Sequence, residues 1–307
     1  MKRYLGILFI FISIITASAN QHHAMQATIN VNEQRIYLDQ TITWTNTLDH
    51  ATSNIYISLN NHGAGKNPHI SDTLNHAHYP NGYEKQEHTI QSITHKNAPL
   101  THTFIDSTER VSYQTFNANK NVAKVSLNTP IQPKQTIQIR IKSERHIPNY
   151  AGIADNITFK DNIYLRFNWY PVIMGTTKKD WKLSQLDIPA PPHTITQFNA
   201  TINKPMRVGL SATTKTIKKT NTHTHISATW SYPISTMALT LHPSFTKLKT
   251  TKNNTTFTLL YDPNVPSKHA QNVLDNAVSS YHFYTTEYGA LPYKNIVISQ
   301  QITPGTF

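Results

Sequence analysis

Strict alternation of apolar and polar side chains constrains this chain more than any other feature it carries. From Arg35 to Trp44, the residues Ile36, Leu38, Ile42 and Trp44 fall on one side and mainly polar residues on the other. That is the pattern of a strand with one buried and one wet face. Ile55, Ile57 and Leu59 repeat it, as do Val111 with Tyr113, Ile137 with Ile139 and Ile141, and Leu239 with Leu241. Threonine is abundant and suits a half-buried pleat. Breaks are supplied by Leu48-Asp-His50, Thr129-Pro130, Gln132-Pro133 and Ile188-Pro-Ala-Pro-Pro192. Such punctuation predicts a mainly β protein of stacked antiparallel sheets. The proline run Pro189 to Pro192 reads as a stiff spacer between layers.

The habit changes once. Phe257 to Tyr261 reads as a strand, Ser267 to Tyr288 as a helix and Ile296 to Ile298 as a second strand. Within the helix Ala270, Val273, Leu274, Ala277, Val278, Tyr281, Tyr284 and Tyr288 recur at three- and four-residue steps and form one apolar stripe. Ser267 is the expected N-cap, Gly289 the expected left-handed stop, and Pro292 forbids continuation. A one-sided helix needs a cover, so this segment opens an α+β unit. The expectation is that the rest of that unit lies outside the 307 residues and that the stripe is the least covered apolar surface.

The N-terminus carries an address. Lys2 and Arg3 precede an apolar run from Tyr4 to Ile15, and Ala17-Ser18-Ala19 offers the small residues of a cleavage site. This predicts export, to a bacterial periplasm or outside the cell, with a retained anchor as the alternative. No later stretch is long and apolar enough to span a bilayer. There is no cysteine, so an exported chain of this kind is held by its core alone. The net charge is +12, and no Asp or Glu occurs from Ile188 to Tyr261, where Lys204, Arg207, Lys215, Lys218, Lys219, Lys247, Lys249 and Lys252 all fall. Such a segment attracts anionic ligands, whereas the plainer reading is solvated lysines on strand faces. Nucleic acid is not the expected partner.

Candidate chemistry is sparse. Among 17 histidines there is no H-E-x-x-H pair, the arrangement that would bring two imidazoles and a general base onto one helix face. His76-Ala-His78 sits in the aperiodic stretch from Asn61 to Gly82, and His223-Thr-His225 puts two rings on one strand face; both lack a third ligand in the sequence. Cleavage after Ala19 would expose Asn20, Gln21 and His22, whose terminal amine, two amides and imidazole form the square-planar nitrogen set that Cu(II) or Ni(II) prefers. Nucleophilic catalysis has no elbow motif, no cysteine and no phosphate loop behind it. Glu84 and Glu87 beside His88 read as surface residues. Tyr164, Phe167, Trp169, Tyr170 and Trp181 read as an inter-sheet seam, with a sugar-stacking platform as the alternative.

Several separated segments together resemble the N-terminal region of zinc aminopeptidases of the aminopeptidase N type. They are Tyr37-Leu-Asp-Gln-Thr-Ile-Thr-Trp-Thr-Asn46, Phe116-Asn-Ala-Asn119, Leu127-Asn-Thr-Pro130, Ile147-Pro-Asn149, Asn168-Trp-Tyr-Pro171, Phe198-Asn-Ala-Thr-Ile202 with Pro205, and Tyr288-Gly-Ala-Leu-Pro-Tyr293. The resemblance implies a saddle-like β-sandwich domain over residues 20–252, after a signal peptide at 1–19, and the first strand-helix-strand of a thermolysin-like domain at 253–307. It further implies that a G-x-M-E-N motif should follow shortly after Pro304 and a zinc motif after that, but the sequence ends Thr303-Pro-Gly-Thr-Phe307. No catalytic residue is carried over, and no cofactor is expected in this chain; zinc and a peptide substrate belong to a full-length relative. The first reading is therefore an inactive N-terminal portion of an exported aminopeptidase-like metallopeptidase. The second is an exported β-sandwich binding module for an anionic or glycan ligand, and a third is a decayed product without function.

Overall fold

The computed structural model describes residues 19–59, 87–105, 110–111, 114–115, 122–148, 156–159, 162–166, 169–182 and 191–301. Residues 1–18, which carry the expected export signal, the aperiodic stretch from Asn61 to Gly82 with His76 and His78, Glu84, Tyr113, Phe116 to Asn119, Asn149, Phe167, Asn168, Pro189 and the last residues from Thr303 lie outside them.

In chain order the strands are β1 (Gln21–Asn30), β2 (Arg35–Thr45), β3 (Thr52–Ser58), β4 (Glu87–His95), β5 (Ala98–Pro99), β6 (His102–Ile105) and β7 (Arg110–Val111). They continue with β8 (Gln114–Thr115), β9 (Val122–Ile131), β10 (Thr136–His146), β11 (Asn156–Phe159), β12 (Asn162–Leu165), β13 (Val172–Ile173) and β14 (Thr194–Ile202). The last are β15 (Arg207–Leu210), β16 (Thr214–Lys219), β17 (Thr224–Thr229), β18 (Leu239–His242), β19 (Thr246–Lys252) and β20 (Thr255–Tyr261), then helix α1 (Ser267–Tyr288) and β21 (Asn295–Ser299). The protein is mainly β, as its alternation requires.

Eight strands form one large sheet in the order β16-β17-β14-β1-β2-β10-β4-β5. Its pairs are antiparallel except β1 with β14, which run parallel. The alternation of β2 puts Ile36, Leu38, Gln40, Ile42 and Trp44 inside, all buried. Two four-stranded sheets cover this inner face side by side. One, β13-β3-β9-β6, packs Ile55, Ile57 and Val125 against Ile42, Ile139 and Ile141; the other, β11-β12-β18-β15, packs Ile163, Leu239 and Leu241 with Met25, Phe198 and Ile226. Two sheets laid across one long sheet give the sandwich its saddle-like form.

The segment from β19 onward stands as its own small unit, a three-stranded sheet β19-β20-β21 with α1 against it. Its core is Phe257, Leu259, Tyr261, Ala270 and Leu274. Burying Leu274 completely stabilises the fold by about 1.5–3 kcal/mol. The division between residues 252 and 253 falls in the two-residue turn of the β19–β20 hairpin, where Asn253 and Asn254 both take positive φ, 49° and 60°. That is the geometry of a type I′ turn, whose twist matches the flanking strands; β19 thus hydrogen-bonds with the later unit. The two units meet at Gly209 of β15, where an added Cβ would strike the Thr240 hydroxyl and come within 3.1 Å of Leu260. Only glycine allows that approach.

Four local expectations are corrected. Pro130 does not end its strand: Leu127 to Pro130 loop out of register between Ser126, paired with Asn54, and Ile131, paired with Thr52, so the missing N–H of proline costs no ladder bond. Ser267 is not the cap. Pro266 holds the N-cap position with no side-chain capping bond, and its carbonyl accepts from the N–H groups of His269 and Ala270. The helix stripe is divided: Ala270 and Leu274 are buried on β19 and β20, whereas Val273 is 48% and Tyr284 53% exposed. The apolar arc is wider than one sheet face can cover, so only one flank packs. Gly289 takes a positive φ of 90° but a ψ of 175°, a glycine conformation other than the left-handed helical stop expected.

Candidate functional site

The outward residues of the large sheet line up into two rows. Lys142, Asp39, Gln26, Asn199, Ser227 and Thr216 stand side by side across six strands. Glu144, Tyr37, Thr28, Thr201, His225 and Lys218 form the next row. The same alternation that turns the apolar residues inward makes these rows, since neighbours in register point to the same face. Between them runs an open groove of about 720 Å³, with Gln91, the bulge residue of β4, on its far bank.

Most of its polar groups are neutral amides and hydroxyls, each able to donate and accept. Its carboxylate is already engaged. Arg140 grips Asp39 through Nε to Oδ1 at 2.7 Å and Nη2 to Oδ2 at 2.5 Å, and these hydrogen bonds hold the Asp39 carboxyl below the usual carboxylate range. At the end of the second row Glu144 pairs with Arg35 and accepts from Gln91 at 3.4 Å. His225 shares a 3.2 Å hydrogen bond with Thr201.

Beneath the sheet lies a second polar cluster, closed to solvent. His23 contacts Gln40 at 2.7 Å and Gln21 at 3.3 Å, and its ring stacks on His193 at 4.6 Å. The Tyr170 hydroxyl is 2.8 Å from His193 Nε2 and accepts the Met237 N–H at 3.1 Å. Its own proton therefore goes to Nε2, and His193 Nδ1 donates to the Pro191 carbonyl at 3.0 Å. Burial pushes His193 down to about 4, carries His23 well below the usual histidine value, and raises Tyr170. These groups are kept neutral and locked; they tie the large sheet to the segment Trp169 to Ile173. A similar chain joins Ser299 to His242 Nε2 at 2.7 Å and His242 Nδ1 to Asn162 at 3.1 Å. Its spacing is that of a nucleophile, a base and an orienter. Burial, however, lowers His242 to about 3, which leaves it too weak a base near neutral pH.

The residues singled out from sequence are distributed as follows. Gln21 is buried in β1, donating to the Ile173 carbonyl at 2.7 Å and accepting the Ile173 N–H; His22 is exposed and its backbone lies between Thr43 and Thr194, while Asn20 accepts the Thr45 N–H. A copper or nickel ion using the amides of Gln21 and His22 has to withdraw them from that ladder. His223 and His225 do stack, with ring centroids 6.1 Å apart. No three His, Asp or Glu side chains converge as a metal site among the described residues, so these residues do not fit a zinc ion. Tyr164, Trp169 and Tyr170 are core, as a seam requires, and Trp181 stacks on Trp44 at 5.4 Å. The basic segment is split: Lys218 faces the groove, whereas Lys215 points inward, donates to the Leu210 carbonyl at 2.5 Å, and is lowered to about 8 by burial and by Lys247 and Lys249. Gln26, Asn199, Tyr37 and Lys142 escaped the sequence reading because alternation marks outward residues without saying which strands adjoin.

This fold has counterparts among solved structures. The fold is shared with M1 zinc metallopeptidases. The M1 zinc metallopeptidase from Deinococcus radiodurans matches at a TM-score of 0.57 and 13% identity, over 92% of this chain and 57% of that one. A mutant of the enzyme bound to a Tyr-Ser-Ala substrate matches at 0.56 and 12%, with the same shares. A two-domain M1 zinc metallopeptidase mutant bound to L-tryptophan matches at 0.54 and 13%, over 92% and 58%. The chain thus spans under three fifths of the length of these structures. No protein-family model matches the sequence, and no curated protein matches it.

Proposed function

We propose that this chain is a non-catalytic N-terminal portion of an exported, aminopeptidase-like metallopeptidase. The observation that carries the reading is the extent of the structural likeness, 92% of this chain against 57% of the M1 enzyme. The uncovered flank of α1 supports it. Among the described residues, six of the eight exposed large apolar side chains, Val273, Phe283, Tyr284, Tyr288, Leu291 and Tyr293, belong to α1 and the turn after it. Exposed patches of that kind mark surfaces built for cover. In this reading the remainder of an α+β domain packs there and brings the zinc, which activates water for peptide hydrolysis. The chain by itself positions and supports; it performs no chemistry.

The experiment is direct. Purified chain, supplied with zinc and an aminoacyl p-nitroanilide, is expected to release no amino acid above the zinc-only control. Zinc-dependent release that a chelator abolishes overturns the reading. A second reading, a binding module, is favoured by one observation, the polar groove on the face of the large sheet opposite its cover.

A further inference from the structure

We infer that the groove across the large sheet binds a linear acidic oligosaccharide, a hydroxyl-rich chain bearing carboxylate or sulfate groups. The inference goes beyond the proposed lineage and stands or falls independently of it. The two rows cross from β10 to β16, five inter-strand spacings, which at about 4.8 Å each give a length of about 24 Å. Along that length the groups on offer are those that match vicinal hydroxyls. Gln26, Asn199 and Gln91 present amide donors and acceptors, and Thr28, Thr201 and Ser227 present hydroxyls. Tyr37, 37% exposed toward the β10 end, presents an aromatic ring beside them.

Charge selects the acidic class. Asp39 is neutralised by Arg140 and Glu144 by Arg35, so neither carboxylate is left to repel an anion. Lys142 and Lys218 stand at opposite flanks, and among the described residues neither has an ion pair. A net charge of +12 adds long-range attraction.

Other occupants fit less well. A protein partner seeks a core of aromatic, methionine and arginine side chains, and this groove has one tyrosine. A nucleic acid needs a basic group near each phosphate and several stacking rings. A β-strand peptide pairs along a free sheet edge, whereas the groove runs across the strands and reaches an edge only at β16.

The test is titration calorimetry of the full chain at low salt with three probes: a galacturonate hexasaccharide, a sulfated heparin hexasaccharide and a neutral glucose hexasaccharide. Binding of the acidic probes, at least tenfold tighter than of the neutral one, is expected. The two acidic probes tell carboxylate from sulfate. Gln26→Ala with Asn199→Ala, and separately Lys142→Ala with Lys218→Ala, should each weaken binding at least tenfold without changing the Tm. Lys247→Ala with Lys249→Ala removes the same charge outside the groove and should weaken it less than twofold. The inference is overturned if neither acidic probe binds, if the neutral probe binds as well, or if the outside pair loses as much as Lys142 and Lys218. It is equally overturned if an oligothymidylate binds with the same dependence on those two lysines.

Discussion

At the scale of single residues the most consequential choice is neutral histidine in the interior. His23, His88, His193 and His242 are all buried, and burial holds His88 and His242 at about 3 and His193 at about 4. His88 shows how the neutral ring is kept: one nitrogen meets the Leu59 carbonyl and the other the Ser143 hydroxyl, both at 3.0 Å, with the Arg145 guanidinium close by. A histidine depressed in the folded state is protonated first in the unfolded chain, at about pH 6.5. Their contribution is therefore complete above pH 6.5 and is lost as pH falls toward about 4 and 3. Each such group gives a slope of about 1.4 kcal/mol per pH unit in that window. Two of them over two pH units remove about 6 kcal/mol, comparable with the whole stability of a marginal domain. Urea midpoints measured from pH 7 to pH 4 should fall steeply, and His88→Asn should reduce the slope by one histidine's share. A flat profile contradicts the burial of these rings.

At the scale of elements, α1 separates what packs from what waits. Leu274→Ala should cost about 2–5 kcal/mol, because it opens a cavity against Phe257 and Leu259. Tyr284→Lys with Tyr288→Lys should leave stability within about 0.5 kcal/mol and lower the binding of a hydrophobic dye. Thermal unfolding and dye fluorescence check both; a large loss from the tyrosine pair would place them in contact with the fold. The helix itself was legible, and its observed bounds Ser267–Tyr288 coincide with those read from its period and its breakers. The split of its stripe was not, since a wheel shows which residues share an arc and not how wide a neighbouring sheet is. The strands β2, β3 and β10 were legible from alternation, whereas the hairpin turn at Lys96 and Asn97, with φ of 49° and 65°, carries no glycine to announce it. The candidate groove was half legible. Alternation marks the wet face of β2 and β10, but it does not single out Gln26, Asn199 or Lys142, and the adjacency of β14 to β1, about 170 residues apart in the chain, comes only with the tertiary structure.

At the scale of the molecule the two sandwich cores share one continuous sheet, whereas the unit from β19 to β21 has a core of its own and meets the rest chiefly through β15. Its edge strand β21 is held by the Ser211 hydroxyl on the Val297 N–H and by the Asn295 amide on the Ala212 carbonyl, both at 3.1 Å. Fewer buried contacts mean a lower opening free energy. Native-state hydrogen exchange should show the amides of β20, α1 and β21 exchanging through an opening that leaves β1, β2 and β10 protected. Uniform protection across both would mean the two units open as one. The parallel pair of β1 and β14 bears on how the chain gets to this state. His22 to Ile29 cannot acquire that neighbour until Thr194 to Ile202 have been synthesised. Sequence separation of that length slows closure, so β1 keeps one bare edge until β14 has been made, and that edge is where a nascent chain of this kind is open to mispairing or in need of a chaperone.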